Sequence, residues 1–514
     1  MRSDVCLILE GSYPYVVGGV STWTHHLIKS LPEFTFALVY VGVSKHQVQR
    51  MEYKLPDNVN QFHEIYLLDD VEMKTSRRRN LKRAWQVIEQ FVGRFREGDI
   101  SGFHDVVDVL TRGDTQITAH DVLHSKQYWD LITGLYRKHF STLSFIDYFW
   151  TCRFLLLPLF QLMYAPIPEA RLYHATCTGY AGLMAALAHR KYDAPCLLTE
   201  HGIYTKERMI EVSQAPYIYN EVVVDYVPRP DLSALQSVWM GKFNMLAQIA
   251  YQEASRIVTL YEGNRQTQIE HGADPDKCLL IPNGIDVSRY RGLAELRARI
   301  DRPPGFHVCY VGRISPIKDV KTYIRSARIV LDQMEDVTFY VLGTPDEDVE
   351  YYEECRALAE LMDLGDRLRF MGNVDMGEYY PLADVVVLTS VSEAQPFVAL
   401  EAMAVGVPVV ATNVGACAEL LYGGTDEDRK LGEAGVITNV NSPEETANAV
   451  MEMLRKPKMR ERMGAVGRER SKMFYQRQDV FDRYRGIYKN LMNQTERRDR
   501  RRDESGVRPM PRRI

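Results

Sequence analysis

A rhythm repeated in both halves of the chain narrows its possible folds more than any other property. Short, almost continuously apolar runs end at Gly or polar residues and alternate with amphipathic stretches of helical length. In the first half the runs fall at residues 5–11 (VCLILEG), 34–42, 171–175, 195–202, 256–260 and 278–284. In the second they fall at 306–312 (FHVCYVG), 337–343, 367–373, 383–390, 407–412 and 434–439. Continuous rather than alternating hydrophobicity is what a strand needs when helices cover both faces of its sheet. Strand and helix in alternation specify parallel pairing. The expectation is an α/β chain of two Rossmann-like, doubly wound domains facing a central cleft.

Between about 69 and 165 the rhythm lapses into charged and aromatic sequence with helical spacing, which reads as a helical insertion in the first domain. The expected division is therefore residues 1–286 for the first domain and 287–473 for the second, with the polar stretch 287–304 as hinge. A helix over 474–494 packs back on the first domain. The last segment, 495–514, is basic and has almost nothing to bury, so it reads as a disordered tail or a dock for an anionic surface or partner.

Composition removes several functions. With 514 residues and 46% hydrophobic content the chain buries more than one core, and a net charge of −5 offers no global field for nucleic acid. The eight cysteines include no CxxC pair and no zinc spacing, so they read as reduced, mostly buried thiols. The opening apolar run is too short for a signal-peptide core, and the apolar stretch 154–163 contains Pro158 and is too short to cross a bilayer. A cytoplasmic location is expected.

Three motifs carry chemistry. Gly18 and Gly19 precede a helix-like stretch, where a helix N-terminus presents free N–H groups to a phosphate; a tight turn alone reads equally well. Arg313 and Lys318 lie five residues apart in the loop leaving the first strand of the second half, where open α/β sheets bind ligands. An Arg fork and a Lys point charge suit a diphosphate, and the bland alternative is two solvated loop cations. Glu393 and Glu401 flank the start of a helix after the strand at 383–390, with Pro396 suited to its first turn. The helix continues ALEAMAVGVPVV, so Glu401 should be buried and should have a partner. Carboxylates beside an anion site make sense when they face hydroxyls, and a ribose and a hexose supply these at either end of a diphosphate.

Taken together and in this order, Gly18–Gly19, the Gly312–Arg313 loop with Lys318, and Glu393 followed by Glu401 resemble the motif set of retaining GT-B glycosyltransferases of family 4. The opening DVCLILEGSYPYVVGG, the insertion and SEAQPFVALEAMA are more narrowly similar to the Pel-type exopolysaccharide glycosyltransferases. The resemblance implies a UDP-sugar donor and no other cofactor. It makes Arg313 and Lys318 diphosphate ligands, Glu401 a ribose ligand, and Glu393 with the backbone of Gln395, Pro396 and Phe397 the holders of the hexose. Pro396 has no N–H to give, which departs from the Gly-Phe-Gly usual at that turn. Asn373 and Val374 would lie against the nucleobase, and His201 near the donor sugar. The implied acceptor is a growing polysaccharide, and implied partners include membrane-embedded synthase components at the inner face of the membrane.

No nucleophile with an adjacent base stands out, so a retaining transfer would use front-face attack, with Arg313, Lys318 and Glu393 as the catalytic set. Two Asp-x-Asp matches, at Asp274 and Asp276 and at Asp346 and Asp348, read as turn and helix-start residues, and metal independence is expected. A nicotinamide oxidoreductase would need GxGxxG after a strand, which neither half supplies. A catalytically silent UDP-binding scaffold of a membrane synthase would keep the cleft without needing Glu393.

Overall fold

The structure is a computed structural model that describes residues 2–47, 50–69, 81–95, 99–111, 119–214, 233–345 and 348–504. It comprises two compact units. The first contains Met1–Thr259, Gln266–Leu279 and the chain from Arg485; the second contains Leu260–Arg265 and Leu280–Tyr484. The sequence placed the division after Asp286. The run at 278–284 yields a strand of only three residues, since Pro282 has no N–H to continue a ladder.

The first unit is built on seven strands: β1 (Ser3–Glu10), β2 (Phe36–Gly42), β3 (Val59–Tyr66), β4 (Ala170–Ala175), β5 (Cys196–Glu200), β6 (Arg256–Thr259) and β7 (Cys278–Leu280). Their spatial order is β3-β2-β1-β4-β5-β6-β7. The pairs from β3 through to β6 are parallel. Strand β3, VNQFHEIY, was not expected. It is an edge strand that buries only Ile65 fully, so it lacks the apolar run that marks the others.

The insertion is helical: Leu81–Phe95, Phe103–Thr111, Ala119–Leu123, Lys126–Leu135 and Phe145–Tyr164, with a widened turn at Tyr136–Phe140. It shares the core of the sheet, because Trp85, Phe103, Tyr148 and Phe160 pack in one cluster with Ile8 and Val39. All eight cysteines are free, and burial pushes the Cys196 and Cys309 thiols up to about 12.

The second unit repeats the plan with six strands: β8 (Phe306–Val311), β9 (Val337–Leu342), β10 (Leu368–Gly372), β11 (Val385–Leu388), β12 (Val409–Thr412) and β13 (Gly435–Thr438). The order is β10-β9-β8-β11-β12-β13, all parallel. In both sheets the order reverses direction beside the first strand, between β1 and β4 and between β8 and β11. Such a switch point opens a crevice outside the carboxyl ends of the strands.

The last helix, Arg477–Glu504, starts in the second unit and belongs to the first from Arg485. There Tyr488 shares a 2.7 Å hydrogen bond with His174 Nδ1, and Arg485 Nε donates to Glu33 at 2.6 Å. The helix corrects the expectation of disorder from residue 495, since it continues through Glu504. The remaining tail, 505–514, and the basic run at 76–80 lie outside the described residues.

Candidate functional site

The site residues expected in the second half lie at the carboxyl edge of the second sheet, on loops except for Phe397 and Glu401, which belong to the helix Phe397–Val405. Strand β8 ends at Val311, and Gly312 and the exposed Arg313 follow in the loop. The Tyr310 hydroxyl donates to the Arg313 carbonyl at 2.8 Å, which fixes the backbone that carries the guanidinium. The loop after β9 presses on the same backbone. A Cβ at Gly343 would come within 1.9 Å of the Gly312 carbonyl oxygen, so only glycine fits there.

Lys318 ends a short turn, Pro316–Lys318, before the helix Val320–Leu331. Asp319 adopts φ +45° and caps that helix by accepting from Thr322 N at 3.2 Å. The Thr389 hydroxyl, just after β11, donates to the Lys318 and Asp319 carbonyls at 3.2 and 2.8 Å. A further backbone bond, Val391 N to Ile317 O at 2.9 Å, stitches the β8 and β11 loops together across the switch point.

Those braces place Lys318 Nζ in an ion pair with Glu393 Oε1, both side chains largely covered. The same carboxylate oxygen accepts from Ser390 Oγ at 2.7 Å. The cation expected to hold phosphate and the carboxylate expected to hold a hexose thus satisfy each other. Covered charges of opposite sign in contact are cheaper than either alone.

The turn after Glu393 is shaped from below by residues the sequence reading missed. Ala416 N donates to the Ala394 carbonyl at 2.8 Å. Gly415 takes φ +54°, where a Cβ would lie 2.1 Å from the Glu393 carbonyl oxygen. A Gly-Ala pair after a strand signals a turn; only the fold brings it against Glu393. Gln395 is also more structural than expected. Its side chain is buried and accepts from Asn283 N at 2.5 Å, and its carbonyl accepts from Asn283 Nδ2 at 3.5 Å.

Pro396 is the cap of the helix Phe397–Val405 rather than a residue of its first turn, and Glu401 sits one turn in. Glu401 has the buried partners its apolar helix demands: Tyr380 donates to Oε2 at 2.8 Å, and the Tyr290 hydroxyl bonds the same carboxylate. Burial raises the carboxyl above the usual range, and the two tyrosines pull it partly back. Asn373 and Val374 follow β10, with Asn373 exposed. Gly372 before them bridges Gly343, so the β8, β9 and β10 loops form one continuous edge.

Gly18, Gly19 and His201 belong to the first unit. Gly18 caps the helix Gly19–Ser30 with extended backbone, φ −179°, and a Cβ there would meet nothing within 4 Å. The unit itself therefore does not require glycine at 18. His201 follows β5 and is buried edge-on against Trp23, ring centres 4.7 Å apart. Burial lowers its pKa to about 4, so at neutral pH the imidazole is uncharged.

Among the described residues no group of three or more His, Cys, Asp or Glu side chains is placed to hold a metal ion. Asp274 instead accepts from Asp276 N at 3.0 Å, and Asp348 caps the helix Val349–Leu361 through Tyr351 N at 3.0 Å. Asp346 lies outside the described residues.

Comparison with known proteins gives two family matches. Residues 3–276 match the model described as "Domain of unknown function (DUF3492)", and residues 305–456 match "Glycosyl transferases group 1". A D-inositol 3-phosphate glycosyltransferase of Thermomonospora curvata is 28% identical over 304 residues, 55% of this chain and 64% of the relative. Its counterpart in Paenarthrobacter aurescens is 27% identical over 231 residues, 43% of this chain and 54% of the relative. The chain thus spans less than two thirds of the length of these relatives.

Solved structures share the fold. Anabaena HepE in complex with UDP aligns with TM-score 0.56 at 13% identity, covering 95% of this chain and all of that one. Sucrose-phosphate synthase of Thermosynechococcus elongatus aligns with TM-score 0.56 at 16% identity, covering 96% of this chain and 100% of that one. The likeness is one of architecture: two parallel-sheet Rossmann-like domains, as in GT-B glycosyltransferases.

Proposed function

We propose, on the premise that the chain belongs to the DUF3492 family and carries a group 1 glycosyl transferase domain in its second half, that it is a glycosyltransferase using a UDP-sugar. The observation that carries this reading is the convergence of Arg313, Lys318, Glu393 and Glu401 on one sheet edge at a switch point. Two cations there match a diphosphate, and two carboxylates match the hydroxyls on either side of it. The UDP named for the HepE structure supports uridine as the base.

In this reading the donor diphosphate competes with Glu393 for Lys318. As Lys318 turns to phosphate, Glu393 is released to accept from hexose hydroxyls, while Ser390 keeps it in place. Arg313 and Lys318 then stabilise the charge that grows on the departing diphosphate, the preorganised electrostatic term that lowers such barriers most. Glu401, oriented by Tyr290 and Tyr380, accepts from the ribose. The resemblance implies that the anomeric configuration is retained; with no residue of the set placed as a dedicated nucleophile, such a transfer would use front-face attack of the acceptor hydroxyl. No metal is required where two cations already balance the leaving group.

The finer assignment is transfer of a hexose or N-acetylhexosamine to a growing exopolysaccharide of the Pel type, as by the biofilm glycosyltransferase PelF. Its support is the resemblance of the opening segment, the insertion and SEAQPFVALEAMA. The protein would work at the inner face of the membrane beside a synthase. The deciding experiment is calorimetry with a panel of UDP-hexoses followed by assay of sugar release and transfer in EDTA. Tight binding of one UDP-sugar with turnover is expected. UDP binding without turnover of any of them would favour the silent scaffold.

A further inference from the structure

The helical insertion of the first unit leaves a contiguous apolar surface uncovered. In the helix Phe145–Tyr164, Ile146, Trp150 and Phe154 recur every four residues and are 67%, 48% and 44% exposed. That spacing puts all three on one side of the helix. Trp129, 49% exposed on the neighbouring helix Lys126–Leu135, extends the surface by packing edge-on against Phe145 with ring centres 5.8 Å apart. Trp150 in turn touches Phe149 and Phe154, at 5.7 and 6.0 Å between rings.

The opposite side of the same helix buries Tyr148 and Leu155. The helix is thus apolar on both sides, where a helix at the surface of a soluble domain is polar on one. Single exposed apolar residues need no explanation, but a joined patch of four large ones marks a binding surface.

The charges beside the patch indicate what covers it. Arg137 and Lys138 are exposed on the turn Tyr136–Phe140, whose Tyr136 ring rests on Phe145 at 5.0 Å. Arg153 falls on the exposed side, three residues after Trp150. Among the described residues none of these three cations is held in an ion pair, whereas Asp130 is paired with Lys126 at 2.6 Å. Residues 126–164 carry four cations and two carboxylates, net +2, in a chain whose net charge is −5.

We infer that this face docks on an anionic lipid surface. Tryptophan rings prefer the headgroup level of a bilayer, and arginine and lysine beside them meet lipid phosphate. The helix would lie in the interface and not cross it. No helix among the described residues is long and apolar enough to span a membrane, and this one carries Asp147, Arg153 and Pro158. A second copy of the chain seated on the same face would bring two basic rims into one interface, which opposes self-association. The inference is independent of the donor site.

The test is co-sedimentation of the full chain with vesicles of mixed phosphatidylglycerol and phosphatidylcholine, against vesicles of phosphatidylcholine alone. Binding about tenfold stronger to the anionic vesicles is expected, weakening with salt. Trp150→Ser with Phe154→Ser should abolish it while leaving UDP affinity unchanged, and Arg137→Gln with Lys138→Gln should remove the preference for anionic lipid. Should the first pair fail to fold, brominated lipid gives a second readout on the unaltered chain, since Trp129 and Trp150 would be quenched on binding. Absence of binding, equal binding to both vesicles, or a concentration-dependent dimer that Trp150→Ser disperses would overturn the inference.

Discussion

The two sheets share a strand order around their first strand, yet their switch points carry opposite charge. In the second, Arg313 and Lys318 stand beside β8, where the proposed reading puts a diphosphate. In the first, the chain's own carboxylate occupies the equivalent position. Glu10 at the end of β1 accepts from Ala181 N, in the first turn of the helix Tyr180–Tyr192, at 3.2 Å, and from the Tyr204 hydroxyl at 2.7 Å. A helix N-terminus there would otherwise attract phosphate. One topology thus carries two cations at the strand ends of one unit and a self-capped edge in the other, and the side chains there make the difference.

The largest expected effect breaks the anion side of this contrast. Arg313→Ala and Lys318→Ala should each lower kcat/KM of transfer by about 2 to 4 kcal/mol in barrier, with the fold intact. Near-normal steady-state turnover by either variant would remove the diphosphate assignment.

Acid should find its weak point in the first unit. His174 and His201 are buried there, and burial lowers their pKa values to about 3 and about 4. The folded state then binds fewer protons than the unfolded chain, so stability is lost as pH falls from about 6.5 toward those values, on the order of 3 to 5 kcal/mol for each histidine. Melting curves between these limits should flatten in His174→Asn and His201→Asn; an unchanged slope would place the acid sensitivity elsewhere.

The two glutamates of the second sheet should divide the donor. Glu401→Ala removes the ribose contact and should weaken UDP by about 1.5 to 3 kcal/mol. Glu393→Ala should leave UDP affinity nearly unchanged while transfer falls, and it frees Lys318 from its ion pair. Equal weakening of UDP by both, measured by calorimetry, would show that the carboxylates do not work at separate ends.

The smallest effect tests the self-capped edge. Glu10→Gln keeps the shape but loses the charge at a helix N-terminus, worth about 1 kcal/mol of stability. The melting temperature should fall by a few degrees and UDP affinity should not move. A gain in affinity for phosphate ligands in the first unit would sharpen the contrast by showing that Glu10 alone keeps them out.

Much of this was legible in the sequence because it depends on periodicity and local chemistry. Twelve apolar runs gave the two sheets, and Arg313, Lys318, Glu393 and Glu401 stood out as charges on loops and on an apolar helix, where charge needs a reason. Strand β3 escaped because an edge strand needs no continuous apolar run. The division of labour among the neighbours also escaped. That Lys318 rests on Glu393, that Tyr290 and Tyr380 hold Glu401, that Gly415 supports the Glu393 turn and that Asn283 takes up Gln395 are contacts between residues more than 20 positions apart, and no local pattern encodes them.

 Counted along the chain, the nearest pair, Tyr380 and Glu401, is 21 residues apart, and the farthest, Asn283 and Gln395, is 112.

What the sequence determined by itself is therefore the class of fold, the edge of the sheet on which the singled-out charges gather and the need of Glu401 for a buried partner. Each follows from period, strand ends and the cost of burying a charge without a partner. What only the tertiary structure decided is which of those charges are already satisfied, and by whom. Hydrogen bonds and ion pairs depend on separations of a few ångströms between loops, and those separations are set when parallel strands distant in sequence come into register.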